Sequence, residues 1–273
     1  MIVEKRFHTD EVEINYAEGP VSGPPLLLLH GTSNRWQAFI RHIPPLAERW
    51  HIYAPDFRGH GRSERAEEYG FGFYYRDTVD LIDEVIGEPA VIFGHSLGGR
   101  LALMIAAEHP EKARAIILGD SSLTSPGATS RMGGGFASQI ELIEGNRTVN
   151  DMYRALKARS GEGFDPVYTL NRARNLVDVD PEMLRSIAEN SDTSSPHSHF
   201  HGYDPDAFLP RVRCPVLILQ AERGMLKDED VERALEILPE AYRVKLKGVP
   251  HEFLMYDTEP VIKAVTIFLE SIL

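Results

Sequence analysis

This sequence has a single cysteine, no long apolar run and no excess of positive charge. One cysteine, Cys214, stands among 273 residues, so the chain has no internal disulfide, which fits a reducing compartment. The first residues lack the apolar stretch of a signal peptide, and no apolar run approaches the roughly 20 residues of a membrane span. We therefore expect a cytoplasmic protein without a membrane partner.

Basic residues are outnumbered, with 29 Lys and Arg against 41 Asp and Glu and a formal net charge of −12. A surface of that sign repels a phosphate backbone, so we expect no nucleic-acid partner. Hydrophobic residues make up 42% of the chain, enough for one substantial core, and no internal repeat is visible. The composition predicts one large domain, and it does not predict an oligomeric state.

Short apolar runs alternate with helical patterns along most of the chain. This alternation predicts a parallel sheet covered by helices on both faces, an α/β fold. The predicted strands are Leu26–Leu29, His51–Ala54, Ala90–Phe93, Ala115–Leu118, Val216–Leu219 and Arg243–Leu246. The predicted helices between and after them are Tyr74–Ile86, Gly98–His109, Asp228–Leu238 and Glu259–Ser271.

The alternation stops between about Ser121 and Pro210, where helical fragments follow one another without strands. A long irregular loop is the alternative, but loops of that length are uncommon in compact domains. We expect a helical insertion over residues 123–208 in a core formed by residues 1–122 and 209–273.

Residues 94–98, Gly-His-Ser-Leu-Gly, fit the G-x-S-x-G pattern of a nucleophile elbow. In that turn a strained serine holds its hydroxyl above the end of a sheet, and the flanking glycines make room for the turn. A buried strand precedes Ser96 and a helix follows it, as the motif requires. The alternative is a glycine-rich turn that binds an anion with its backbone amides.

A serine nucleophile needs a base and a group that orients the base. Among 11 histidines, His251 lies between the last predicted strand and the last helix, which places it at the edge of the sheet where Ser96 lies. An oxyanion also needs backbone donors. The strand that ends at His30-Gly31 predicts the amide of Thr32 as one donor, and Leu97, directly after the nucleophile, is the other.

Four segments, taken in order, resemble the α/β-hydrolase superfamily over essentially the whole chain. They are Leu29–Thr32, Ala54–Ser63, Gly94–Gly99 and Gly248–His251. The resemblance implies a mostly parallel eight-stranded sheet flanked by helices, with a helical cap inserted after the sixth strand. It implies a structural turn for residues 56–63 and no catalytic role for Arg58 or His60.

The acid of the triad departs from the usual pattern of that family. Members usually carry an Asp shortly after the seventh strand, where this chain has Gly224. Some members place the acid after the sixth strand, and there the sequence has Asp120, which we favour. Glu222 and then Asp228 are the alternatives, although Asp228 also suits a helix N-terminus.

These residues predict a serine hydrolase that cleaves a small carboxylic ester or lactone through an acyl-enzyme, without metal or organic cofactor. A carbon–carbon bond hydrolase acting on a diketone, or a slow-turnover ligand receptor, would use the same residues. Candidate pocket residues are His30, His95, Trp36 and Phe39, the last two being equally compatible with core packing. His197, His199 and His201 are expected to form a cap loop that offers a polar group, in preference to a metal site.

Overall fold

The computed structural model describes residues 1–125, 133–160, 164–190, 192–256 and 259–273, and eight strands form one sheet. The strands are β1 (Val3–His8), β2 (Glu13–Glu18), β3 (Pro25–Leu29), β4 (His51–Pro55), β5 (Ala90–His95), β6 (Ala113–Gly119), β7 (Val216–Arg223) and β8 (Ala241–Pro250). Their order across the sheet is β1-β2-β4-β3-β5-β6-β7-β8. The pairs β1–β2 and β2–β4 are antiparallel, and the other neighbours are parallel. The predicted mostly parallel eight-stranded sheet is confirmed.

Helices cover both faces of the sheet because the strands are apolar on both sides. In β3, Leu27 and Leu29 belong to one hydrophobic cluster, and Leu26 and Leu28 belong to the cluster on the opposite face. All four side chains are fully buried. This is the pattern of parallel strands that lie between two helical layers.

Ten α-helices are described, and several match the predicted bounds within a few residues. They are α1 (Ile43–Leu46), α2 (Phe71–Asp80), α3 (Leu97–Glu108), α4 (Gly133–Gly145), α5 (Val149–Arg159), α6 (Pro166–Val177), α7 (Pro181–Glu189), α8 (Pro205–Phe208), α9 (Asp228–Ile237) and α10 (Glu259–Ser271). A π-helical stretch, Leu81–Ile86, continues α2 to the end of the predicted helix. None of the described helices is both long and apolar enough to cross a membrane.

Five helices, α4 to α8, lie between β6 and β7, where the sequence predicts an insertion. Helix α4 packs against α7, α5 packs against α6, and α8 contacts α3 of the core. Asp165, Asp180 and Asp204 cap α6, α7 and α8 through side-chain oxygens that accept backbone N–H groups, and a proline follows each of them. This is the usual chemistry of a helix start.

Candidate active site

Ser96 lies in a strained turn between β5 and α3. Its φ of 53° and ψ of −111° are unfavourable for a residue with a side chain. The turn is so tight that a Cβ at Gly94 would lie 2.1 Å from the carbonyl oxygen of Gly98. Likewise, a Cβ at Gly98 would lie 2.2 Å from the carbonyl oxygen of Leu29 in the neighbouring strand. Both glycines are therefore required by backbone contacts, and the turn holds the Ser96 hydroxyl at the carboxyl ends of the strands.

A continuous chain of hydrogen bonds joins Ser96 to His251 and Asp120. The Nε2 atom of His251, just after β8, lies 3.0 Å from Ser96 Oγ. On the other side of the ring, Nδ1 lies 2.6 Å from Asp120 Oδ2. The Asp120 side chain is completely buried, whereas that of His251 is 23% exposed. The structure thus brings together a hydroxyl, an imidazole and a carboxylate in the arrangement that activates a serine.

Asp120 follows β6 directly and is held by the loop after β7. Its φ is 44°, in the left-handed region. The backbone N–H groups of Met225 and Ala221 donate to its two carboxylate oxygens over 2.8 and 3.2 Å. Burial raises the pKa of Asp120, but the hydrogen bonds from His251 and Met225 outweigh it and bring the pKa below its ordinary value. Asp120 is therefore ionised at neutral pH.

The two alternative acids have other partners. A Glu222 oxygen accepts the backbone N–H of Gly248 over 2.8 Å. Asp228 begins α9 and accepts hydrogen bonds from Lys245 and from Gln220. In the described chain neither carboxylate contacts His251, and both hold together the region around β7 and β8.

His251 is tuned by its neighbours. Burial lowers its pKa, but the hydrogen bond that His251 donates to Asp120 and the negative charges of Glu252 and Asp120 more than compensate, so the pKa lies above its ordinary value. His95 Nε2 lies 2.8 Å from the carbonyl oxygen of His251 and donates to it. The two rings are 4.9 Å apart. His95 therefore holds the backbone of His251 in place through this hydrogen bond.

The predicted oxyanion turn lies directly against the elbow. A Cβ at Gly31 would come within 3.2 Å of the Ser96 Cβ, so only glycine lets this turn approach the nucleophile so closely. Leu97 is the first residue of α3, and the first N–H groups of a helix have no partner within it. Among the described residues, no acceptor is found for the Thr32 N–H either. The structure thus offers two free amides beside Ser96.

Residues on both sides of Thr32 are anchored by side chains. His30 Nδ1 donates to the carbonyl oxygen of Gly31 over 2.8 Å, and its Nε2 accepts the N–H of Phe57. Ser33 has a φ of 61°, and its N–H donates to His60 Nε2 over 3.2 Å. His30 and His60 therefore shape the turn.

The insertion also holds this turn. Arg172 of α6 donates to the carbonyl oxygen of Ser33 over 2.8 Å. The hydroxyl of Ser33 donates to Gln139 Oε1 of α4 over 2.8 Å. Because Ser33 sits in a strained conformation right after Thr32, these two contacts couple the helical insertion to the orientation of the Thr32 amide.

The four predicted pocket residues are buried in this structure. Trp36 packs in the core and its Nε1 donates to Glu4 Oε1 over 2.7 Å. Phe39 is fully buried, with its ring 5.2 Å from that of Phe93. His30 and His95 are also fully buried. All four side chains thus lie in the core that supports the site.

Two of the three histidines of the predicted cap loop, His197 and His199, contact different partners. His197 stacks on Phe73 and lies 3.7 Å from a Glu68 oxygen. His199 contacts Arg100 through Nε2 over 2.6 Å. No group of three potential metal ligands occurs among the residues that the structure describes.

Arg100, Arg172 and Glu252 were not singled out from the sequence. Arg100 and Arg172 find their partners across 99 and 139 positions of the chain, and such contacts leave no local pattern. Glu252 follows His251 directly, and its pairing with Asn34 is equally remote in sequence. The only signal available was position, since Arg100 lies one helical turn after Ser96.

Comparisons with known proteins agree with this architecture. The profile of a family described as "alpha/beta hydrolase fold" matches residues 24–258. A serine hydrolase-like protein of Danio rerio is 30% identical over 164 residues, which are 59% of this chain and only 47% of that relative. The 2-(acetamidomethylene)succinate hydrolase of Mesorhizobium japonicum is 26% identical over 284 residues, 98% of this chain and 96% of the relative. The crystal structure of an E-2-(acetamidomethylene)succinate hydrolase has a TM-score of 0.73 at 21% identity, covering 99% of this chain and 100% of that one.

Proposed function

The chain belongs to the alpha/beta hydrolase family, as its motifs predict, and on that premise we propose that it is a serine hydrolase of small carboxylic esters or lactones. The observation that carries the proposal is the hydrogen-bonded chain from Ser96 Oγ through both nitrogens of His251 to the buried Asp120. The relatives include a serine hydrolase-like protein and a 2-(acetamidomethylene)succinate hydrolase, and both names support a hydrolytic reaction.

In the proposed reaction, Ser96 Oγ attacks the acyl carbonyl while His251 Nε2 takes its proton. The Leu97 and Thr32 amides donate to the oxyanion of the tetrahedral intermediate, a contribution of several kcal/mol in a site poor in water. His251 then passes the proton to the leaving oxygen, which departs as an alcohol. Water, deprotonated by His251, cleaves the acyl-enzyme and releases the acid. Asp120 keeps the Nδ1 proton in place and balances the positive charge on the ring.

We further propose that residues 123–208 form a cap over this site, on a core of residues 1–122 and 209–273. The contacts of Gln139 and Arg172 with Ser33 support this arrangement, since they join the insertion to the oxyanion turn. A cap in this position would exclude bulk water from the acyl intermediate.

The proposal is tested with 4-nitrophenyl acetate and butyrate, whose hydrolysis is followed by release of nitrophenolate. We expect multiple turnover by the wild type and none above background by Ser96→Ala or His251→Ala. If the wild type releases no nitrophenolate in a Ser96-dependent way, ester hydrolysis is wrong. The carbon–carbon bond hydrolase and the receptor then become the candidates to test.

A further inference from the structure

Arg100 is a buried arginine without a carboxylate partner. Its residue is 4% exposed, and in the described part of the chain no Asp or Glu oxygen lies within ion-pair distance of it. Arg58, buried to a similar degree, makes two hydrogen bonds to Asp77 over 2.7 Å each. A buried, unpaired charge is costly, so a chain that keeps one gains something from it.

The surroundings of Arg100 are aromatic instead of acidic. Its guanidinium carbon lies 4.6 to 5.5 Å from the ring centres of Phe71, Phe200 and Tyr203. Such rings attract a cation, but they do not accept its N–H groups in the way that oxygen does. They also exclude water, which strengthens any ionic contact made there.

Hydrogen-bond donors are left over at this place. Of the five N–H groups of a guanidinium, one from Arg100 donates to the carbonyl oxygen of His199 over 2.8 Å and one to His199 Nε2 over 2.6 Å. Because Arg100 can only donate, His199 Nε2 must accept, and the proton of this ring lies on Nδ1. That buried Nδ1 has no partner among the described residues. The remaining N–H groups of Arg100 and the Nδ1 of His199 are all donors, and an anion is the ligand that can accept from them.

The pair lies next to the acyl site. Thr32 Oγ1 is 3.4 Å from His199 Nε2, and Thr32 supplies one of the amides beside Ser96. Arg100 itself is four residues after Ser96, one turn along α3. On the other side, the ring of Phe136 in α4 packs edge-on against His199. The Arg100–His199 pair therefore adjoins the oxyanion turn.

Resting on the proposed acyl hydrolysis, we propose that Arg100 and His199 bind an ionised carboxyl group of the substrate. The substrate class is then a half-ester or lactone that carries a second, free carboxylate a few carbons from the cleaved bond. A carboxylate suits the pair because a guanidinium binds its two oxygens in one plane. The N–H group at Nδ1 of His199 is a second, neutral donor for this carboxylate.

The test uses three pairs of esters, and the two members of each pair differ by one charge. Mono-4-nitrophenyl esters of succinic, glutaric and adipic acid are compared with the corresponding methyl 4-nitrophenyl diesters, with Ser96→Ala as the blank for spontaneous hydrolysis. The readout is the ratio of kcat/KM for the acid to kcat/KM for its methyl ester. We expect at least one chain length at which the wild type favours the acid by about ten- to a hundredfold, the range of a hydrogen bond to a charged group.

The variants ask whether Arg100 causes that preference. In Arg100→Gln the ratio should fall to about one, and Arg100→Lys should keep part of it, since the charge remains but the planar fork is lost. Arg174→Gln, on the exposed face of α6, is the matched control and should keep the wild-type ratio. A ratio is informative even if Arg100→Gln is less active overall. If that variant does not fold, His199→Gln gives the same comparison.

A binding experiment separates this inference from the proposed function. Sodium glutarate is titrated calorimetrically into Ser96→Ala and into Ser96→Ala/Arg100→Gln. Binding to the first protein and not to the second supports the carboxylate site even if no ester is hydrolysed. Hydrolysis of neutral esters with no preference for the acids, or a preference that survives Arg100→Gln, overturns the carboxylate site and leaves the serine hydrolase intact.

Discussion

The carboxylate of Asp120 occupies the space that a side chain at Gly224 would need. A Cβ at Gly224 would lie 2.2 Å from Asp120 Oδ2 and 2.4 Å from Oδ1. The loop after β7 therefore contributes no acid of its own and instead wraps around an acid from β6. The amide of Met225 in this loop and that of Ala221 in β7 hold the acid in the orientation that meets His251.

Gly224→Ala should therefore damage the site without replacing any of its functional groups. The new methyl collides with the buried carboxylate, which has no room to move because three backbone amides surround it. We expect kcat for 4-nitrophenyl butyrate to fall at least about tenfold, up to the roughly 10⁴-fold loss known for a triad whose acid is disabled. Gly145→Ala is the control, since nothing lies within 4 Å of its added Cβ. Equal activity of the two variants would show that Asp120 does not orient His251.

Asp120→Asn should abolish most of the activity, whereas substitution of the two alternative acids, Glu222 and Asp228, should not. An amide at this position cannot hold the Nδ1 proton of His251 as a carboxylate does, so the ring presents the wrong tautomer to Ser96. We expect kcat to fall by about 10³ to 10⁴. Glu222→Gln and Asp228→Asn should stay within about threefold of the wild type, because their partners are Gly248 and Lys245. A larger loss in Glu222→Gln than in Asp120→Asn would transfer the role to Glu222.

The acid illustrates what the sequence can and cannot predict. Ser96 is recognisable because its turn needs glycines at fixed positions, and His251 because it follows a strand. The choice between Asp120 and Glu222 depends on the register of β6 against β7, which pairs Gly119 with Leu219. It also depends on the space left by Gly224. Neither quantity is local, so three carboxylates remained open from the sequence alone.

The fold shows the same division. Five of the six predicted strands, β3 to β7, were predictable because both of their faces are buried. The edge strand Val3–His8 was not, since most of its residues are charged or exposed and only Phe7 is buried. Helix α6 was also missed, although Asp165 and Pro166 form a regular helix start. That helix carries Arg172, so its contact with Ser33 could not be foreseen either.

The pH dependence of the reaction should reflect the raised pKa of His251. The base must be neutral to accept the Ser96 proton, so activity is lost as the pH falls through the pKa of His251. Because that pKa lies above its ordinary value of 6.5, the acidic limb of kcat/KM should have its midpoint above 6.5. The negative charge of Glu252 contributes to the shift, so Glu252→Gln should move the midpoint to lower pH. Glu222→Gln should leave it in place, and a midpoint unaffected by Glu252→Gln would remove Glu252 from the tuning of this base.

Arg172 should matter for the transition state more than for substrate binding. Its hydrogen bond to the Ser33 carbonyl holds a strained residue directly after the Thr32 donor. Loss of a whole oxyanion donor costs about 10² to 10³ in kcat, and a donor that is only loosened should cost less. We expect Arg172→Met to lower kcat about tenfold with little change in KM, and to weaken inhibition by a butyl boronic acid in proportion.

The control for that variant is Arg174→Met, two residues along the same helix and exposed to solvent. It removes the same charge from α6 but makes no contact with the oxyanion turn among the described residues, so kcat and inhibition should match the wild type. If Arg172→Met instead raises KM and leaves kcat unchanged, Arg172 binds substrate directly. The insertion would then act on specificity through Arg172, and the orientation of the Thr32 amide would rest on His30, His60 and the Gln139 contact.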